Sequence, residues 1–145
     1  SRRHFSTSAV AIQSDVYGSG YPLFAGCSLT PMAQWSHRYI VDALPSEQAV
    51  LLASHQLSSH AAFQDGSFIG LQWHPEVATE AEFGFGVEFM RTLAKLRKDA
   101  LLAEGFWLGK VEADWYIENM MQPAPESARL IENWFSMIRS GFFKR

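Results

Sequence analysis

Cysteine is almost absent from this sequence, since Cys27 is the only one among 145 residues. A single thiol excludes an internal disulfide framework and a cysteine-rich zinc site, and it fits a reducing compartment. A large excess of charge of one sign is also absent from the sequence. The 12 basic and 15 acidic side chains leave a net charge of −3, which gives no electrostatic case for binding nucleic acid or an anionic membrane. The longest apolar runs, such as Ala49 to Ala53, are far too short to span a bilayer.

What the sequence does have is enough apolar material for one globular domain. Apolar residues make up 48% and aromatic residues 14% of the chain, which is typical of a packed core rather than disorder. Residues 1–14 differ from the remainder, because they contain Arg2, Arg3 and several hydroxyl side chains but no acid. That composition is typical of a mitochondrial transit segment, or of a polar lead-in to a strand at Ser8–Ile12. Because the chain begins with Ser1, we expect that something preceded it.

Short β-rich runs separated by turns extend from Ser8 to Trp73, which includes the first part of the domain expected over residues 15–145. The predicted strands are Ser8–Ile12, Met32–Trp35, Ala49–Ser54, Ala61–Gln64 and Ser67–Trp73. Asp65-Gly66 lies between the last two strands and predicts a tight hairpin with positive φ at both turn residues. The strands end at about residue 73, and nothing before that point could form a complete series of βαβ crossovers.

After residue 80 the periodicity becomes helical. One helix is predicted over Val87–Glu104 and ends at Gly105. A second is predicted over Glu126–Ser140, with prolines before it and Gly141 after it. Its apolar residues form one predicted stripe: Leu130, Ile131, Trp134, Phe135 and Ile138. Taken alone, this is an α+β pattern; taken as a piece of something larger, it is an antiparallel extension plus the closing elements of an α/β domain, which we favour.

The segment from Gly70 to Glu76, Gly-Leu-Gln-Trp-His-Pro-Glu, carries the chemistry. His74 is expected at the end of a strand, because Pro75 cannot continue a ladder, and strand ends are where catalytic groups of α/β sheets usually lie. Glu76 is two residues further on, so in extended chain both side chains point the same way. A carboxylate beside an imidazole fixes its tautomer and raises its basicity, as in a nucleophile–base–orienter triad. On this tripeptide alone, a structural histidine is the commoner interpretation.

The wider context resembles the class I glutamine amidotransferases. Their last active-site segment reads Gly-x-Gln-Phe-His-Pro-Glu, and this chain differs from it only in having Trp73 for phenylalanine. Four further stretches are similar to the family in the same order: Tyr-Pro-Leu-Phe-Ala-Gly at 21–26, Gln-Trp-Ser-His at 34–37 followed by Asp-Ala-Leu-Pro at 42–45, Ala-Val-Leu-Leu-Ala-Ser at 49–54, and Ala-Ala-Phe at 61–63. Together the five stretches cover residues 21 to about 80.

This resemblance implies a fold, an activity and a set of site residues. The fold would be α/β, the C-terminal part of a flavodoxin-like class I amidotransferase domain. Such domains hydrolyse the side-chain amide of glutamine through a cysteine thioester and need no cofactor or metal. By carry-over, His74 is the general base, Glu76 orients it, and Ser36 and His37 help to hold the substrate glutamine. The expected location is the cytoplasm, with mitochondria as the alternative.

Two departures from the family keep a second hypothesis open. Arg38-Tyr39 stands where the family often has Gly-Asp, and the nucleophile elbow Gly-x-Cys-x-Gly is absent. Cys27 has no glycine two residues on, and we interpret it as a partly buried loop thiol. The nucleophile is therefore expected from the missing N-terminal half or a partner chain. The alternative is an inactive, amidotransferase-like structural subunit of a larger assembly. His55 and His60 are expected to be solvated loop histidines.

Overall fold

The computed structural model describes residues 4–37, 40–75, 87–119 and 124–144. Strands dominate the first half and helices the second, as the hydrophobic periodicity predicts, although one short helix lies between the second and third strands. The strands are β1 (His4–Ala9), β2 (Ala11–Ile12), β3 (Met32–His37), β4 (Val50–His55), β5 (Ser58–Asp65) and β6 (Phe68–Leu71). The helices are α1 (Ser14–Gly18), α2 (Val87–Leu96), α3 (Lys98–Ala103), α4 (Lys110–Asn119) and α5 (Pro125–Arg139), with short 3₁₀ turns at Pro22–Phe24 and Phe142–Lys144.

The strands form two antiparallel sheets that share one stretch of chain. β1 pairs with β3, while β2, β4, β5 and β6 form a four-stranded sheet in that order. The sheets are linked at Val10, where the chain leaves β1 and enters β2 and where the Val10 N–H donates to the Pro31 carbonyl at 2.9 Å. The strand predicted over Ser8–Ile12 is thus longer than expected and divided between the sheets. The mixed α/β class is confirmed.

The hairpin between β5 and β6 forms where Asp65-Gly66 predicts it, but with a different turn. Asp65 pairs with Phe68, so the two loop residues are Gly66 and Ser67. Gly66 has φ +60°, and among the described residues only glycines have positive φ. Positive φ at the first loop residue alone is typical of a type II′ turn. The expectation of positive φ at Asp65 is wrong, because Asp65 still belongs to the ladder.

A glycine in β6 allows an aromatic ring to lie flat on the strand. Gly70 pairs with Phe63 across β5 and β6, and a Cβ on Gly70 would lie 2.5 Å from the Phe63 Cζ. The same ring lies 6.0 Å from that of Phe68. Gly70 is therefore explained by packing within the hairpin, where any side chain would displace the ring of Phe63.

The helix predicted over Val87–Glu104 is two helices. It breaks at Arg97, whose φ of −104° and ψ of 11° cap α3. α3 ends as predicted at Gly105, where the N–H groups of Gly105 and Phe106 donate to the carbonyls of Leu102 and Leu101 in a Schellman motif. α4 follows, and the three helices enclose a small core of their own: Ala94, Leu101, Trp107, Ala113 and Ile117.

α5 packs on the main core with a face that differs from the predicted stripe. Leu130 of the predicted stripe is buried, and so are Ser127 and Met137, which the stripe does not include. Trp134, Phe135 and Ile138 are instead 40%, 49% and 46% exposed. The predicted stripe is therefore only partly buried, because the helix turns the narrower face of Ser127, Leu130 and Met137 towards the sheets. A second apolar face of α5 remains uncovered among the described residues.

The main core lies between the sheets and α5. Its buried side chains include Val10, Leu23, Trp35, Leu52, Trp73 and Leu130. Within the described ranges, no helix is long and apolar enough to cross a bilayer.

Gly70→Ala should destabilise the protein by about 1–2 kcal/mol, because the new methyl group forces the Phe63 ring off the strand. The measurement is urea unfolding, and the matched control is Gly18→Ala, where a Cβ meets open space. In a Phe63→Ala background Gly70→Ala should cost less than in the parent, as expected for residues in contact. Equal costs in both backgrounds would show that the ring does not account for Gly70.

Candidate functional site

His74 lies where the chain passes from one sheet to the other. β6 ends at Leu71, two residues earlier than the strand predicted from the sequence. The Gln72 N–H still donates to Ala61 of β5 at 2.8 Å, but the His74 N–H donates to the carbonyl of Gln34 in β3 at 2.9 Å. The candidate base is therefore fixed through its own backbone to the neighbouring sheet.

The same hydrogen bond brings the second candidate segment close to His74. Ser36 and His37 are the last two residues of β3, paired in register with Phe5 and His4. They follow Gln34 by only two and three positions, so the backbone segments of the candidate base and of the candidate substrate contacts are neighbours. The side chains of Ser36 and His37, and residues 38, 39 and 76 as a whole, lie outside what the structure describes. The pairing of His74 with Glu76 accordingly stays a prediction.

Gln72 makes a connection that the sequence does not reveal. Its Oε1 accepts a hydrogen bond from the Val41 N–H at 2.8 Å and a longer one from the Ser58 hydroxyl at 3.4 Å. Val41 comes just after the Ser36–His37 segment, and Ser58 is 1% exposed at the start of β5. The only sequence signal for this role is the glutamine of the Gly-x-Gln motif itself.

Two buried residues support the backbone on either side of His74. Gln34 is 7% exposed, and its Oε1 accepts from the Thr7 hydroxyl at 2.6 Å. Trp73 is 3% exposed, and its ring lies 5.9 Å from that of Trp35. The buried Nε1–H of Trp73 has no acceptor among the described residues, so within that part of the chain the indole contributes packing without a compensating hydrogen bond.

His55 is a structural residue and not the solvated loop histidine that the sequence suggests. Its Nδ1 accepts from the Leu57 N–H at 3.1 Å, and its Nε2 lies 2.7 Å from the Ser8 hydroxyl. Since Nδ1 is an acceptor here, the ring proton belongs on Nε2, which donates to Ser8. The ring also stacks on Trp35 at 4.3 Å. His60 lies within β5 rather than in a loop, with its Nδ1 3.0 Å from the Ser59 hydroxyl.

Cys27 is unsuited to nucleophilic attack. The thiol is 6% exposed and lies 3.4 Å from the Glu126 carbonyl oxygen at the start of α5. Burial raises the pKa of Cys27, the Glu126 carboxylate raises it further, and Arg129 partly offsets this. A raised pKa lowers the thiolate fraction at neutral pH, whereas a catalytic cysteine needs the opposite. The interpretation of Cys27 as a structural thiol is supported, with more complete burial than expected.

An apolar cleft of about 160 Å³ opens next to the candidate base. It is lined by Leu23, Ile69, Leu71, Pro75, Leu130, Ile131 and Trp134. The lining includes Pro75, which directly follows His74, and Trp134 from the uncovered face of α5. Such a lining offers no partner for the charged groups of an amino acid and is suited to burying apolar side chains. Among the described residues, no group of three or more His, Cys, Asp or Glu could hold a metal ion.

Comparison with known proteins finds the fold in a solved structure. A glutamine amidotransferase from Thermotoga maritima matches with a TM-score of 0.64 and 18% sequence identity, over 94% of this chain and 51% of its own. The likeness shows the fold. The present chain spans about half the length of that amidotransferase. No family model matches the sequence, and no curated protein matches it either.

Proposed function

We propose that this chain is the base-bearing part of a class I glutamine amidotransferase, which hydrolyses the side-chain amide of glutamine through a cysteine thioester. The observation that carries the proposal is the hydrogen bond from the His74 N–H to the Gln34 carbonyl. This bond supports the proposal because it joins the backbone of His74 to the strand that ends in Ser36 and His37. The fold shared with a glutamine amidotransferase, over 51% of that protein's length, is a second support.

In the proposed reaction His74 moves protons at both stages. Its imidazole accepts the proton of a cysteine thiol, and the thiolate attacks the amide carbon of glutamine. As the tetrahedral intermediate collapses, the imidazolium donates that proton to the departing nitrogen, which leaves as ammonia. His74 then activates the water that hydrolyses the thioester, which yields glutamate and restores the thiol.

The other candidate residues have supporting roles. Glu76 would hold the His74 ring in the tautomer that accepts the thiol proton and would stabilise the imidazolium that forms. Ser36 and His37, at the end of β3, would hold the backbone part of the substrate glutamine. The buried packing of Trp73 against Trp35 would keep the residue before His74 in place.

The nucleophile would come from outside residues 1–145. Cys27 does not fit this role, because its thiol is buried and its pKa is raised. The 51% coverage of the Thermotoga protein is consistent with a second half, supplied by the same gene product or by a partner chain. That half would bring a reactive cysteine within hydrogen-bond reach of His74.

The 145-residue chain alone should release no ammonia from glutamine, because a base without a nucleophile cannot form the thioester. The measurement is ammonia production by the purified chain, with Cys27→Ser as the matched variant, and both should be equally inactive. Ammonia release that disappears in Cys27→Ser would contradict both the proposal and the structural role of Cys27.

In the complete, cysteine-containing assembly, His74→Asn should lower kcat by about 10³-fold or more, since members of a triad act as a unit. Glu76→Gln should cost less, because the imidazole stays in place. His37→Asn should act mainly on KM. The measurement is steady-state glutamine hydrolysis.

The matched control for these variants is Trp73→Phe, which should be nearly neutral. The packing on Trp35 is largely kept, and the Nε1–H donor that is removed has no acceptor in the part of the chain that the structure describes. If His74→Asn retains more activity than His37→Asn, the assignment of the base is wrong.

One observation favours a second candidate, an inactive structural subunit. Trp134, Phe135 and Ile138 form an uncovered apolar face on α5, and an exposed apolar patch is typical of an interaction surface. The same face could also contact the missing half of an active enzyme. The two candidates predict different results for His74→Asn. In an active enzyme the substitution lowers glutamine hydrolysis by the native assembly, whereas in a structural subunit it leaves that rate unchanged.

A further inference from the structure

Two hydrogen bonds join the chain around Ser36 and His37 to the segment Gln72–His74. Upstream of Ser36 and His37, the Gln34 carbonyl accepts the His74 N–H at 2.9 Å. Downstream of them, the Val41 N–H donates to the Gln72 side chain at 2.8 Å. The candidate substrate segment thus lies between two hydrogen bonds to a stretch of three residues that ends in the candidate base.

The two hydrogen bonds differ in whether they depend on a side chain. The upstream one is made by backbone atoms, so no side-chain substitution at Gln34 or His74 removes it directly. The downstream one depends on a single side-chain oxygen, Oε1 of Gln72. That oxygen is held in turn by the hydroxyl of Ser58, which is 1% exposed, and the Gln72 backbone is held by Ala61 of β5. The sheet therefore holds Gln72 so that its Oε1 accepts the Val41 N–H.

We propose that Gln72 is a positioning residue that sets the affinity for glutamine by holding the Ser36–His37 segment at a fixed distance from His74. This inference rests on the proposed function. Gln72 does not touch the reacting atoms in this account. A loop freed at Val41 would let the substrate contacts of Ser36 and His37 move relative to the base, which weakens binding before it affects proton transfer.

The test compares Gln72→Leu with Gln72→Glu in the complete assembly. Leucine has a similar size but no acceptor, whereas a glutamate carboxylate can still accept the Val41 N–H. Gln72→Leu should raise KM for glutamine roughly tenfold, the factor that corresponds to losing one hydrogen bond, with a smaller change in kcat. Gln72→Glu should restore KM to near the parent value.

A second measurement on the same variants reports directly on the hydrogen bond between the Val41 N–H and Gln72 Oε1, called the tie below. Hydrogen exchange at the Val41 amide should be roughly tenfold faster in Gln72→Leu than in the parent or Gln72→Glu, because the amide loses its acceptor. The control is Gln64→Leu, since the Gln64 side chain bonds to Tyr21 and Gly66 instead. Exchange at Val41 should not change there.

Each outcome supports or overturns the inference. Unchanged exchange at Val41 in Gln72→Leu would show that the tie does not hold the loop. Faster exchange with an unchanged KM, or a fall in kcat alone, would show that the tie does not act on glutamine binding. A Gln72→Glu variant as impaired as Gln72→Leu would overturn the role of the acceptor. A parent assembly without glutaminase activity would refute the proposed function, while the exchange measurement would still test the tie.

Discussion

The hydrogen bond between the His74 N–H and the Gln34 carbonyl is the contact on which the candidate site depends. It joins the end of the β5–β6 hairpin to β3, which belongs to the other sheet. Without it the base would be a residue after an edge strand, with no fixed relation to Ser36 and His37. A buried backbone acceptor that loses its donor costs about 1–3 kcal/mol, so the transition between sheets is strongly favoured once the core around Trp35 and Trp73 has packed.

Helix α5 closes the core through polar contacts as well as apolar ones. The Ser127 hydroxyl donates to the Met32 carbonyl at 2.6 Å, and the Asn133 side chain donates to the carbonyls of Leu23 and Ala25. These bonds fix the rotation of the helix about its axis, and that rotation leaves Trp134 at the mouth of the apolar cleft beside Pro75. The same contacts explain why Cys27 is buried: its thiol is covered by the first turn of α5.

Features of the fold that depend on local chemistry could be predicted from the sequence. The β5–β6 hairpin follows from a turn glycine between alternating strands, and the end of α3 follows from Gly105. The break at Arg97 and the exposed face of α5 could not be predicted, because helical spacing tells which residues share a stripe and not which stripe meets the core. In the candidate site, the sequence motif alone made His74 the candidate base. The hydrogen bonds at Gln34, Val41 and Gln72 depend on contacts between segments that are distant in the chain, for which one sequence contains no signal.

The central claim is that His74 activates a cysteine that lies outside residues 1–145. A chloroketone analogue of glutamine tests it most directly, because such a compound enters a glutamine site and alkylates the thiolate there. Mass spectrometry of the treated native assembly locates the adduct, and its rate of formation reports on thiolate activation. We predict an adduct on a cysteine other than Cys27, formed at least about tenfold more slowly in His74→Asn. An adduct on Cys27, or a labelling rate that does not change in His74→Asn, would contradict it.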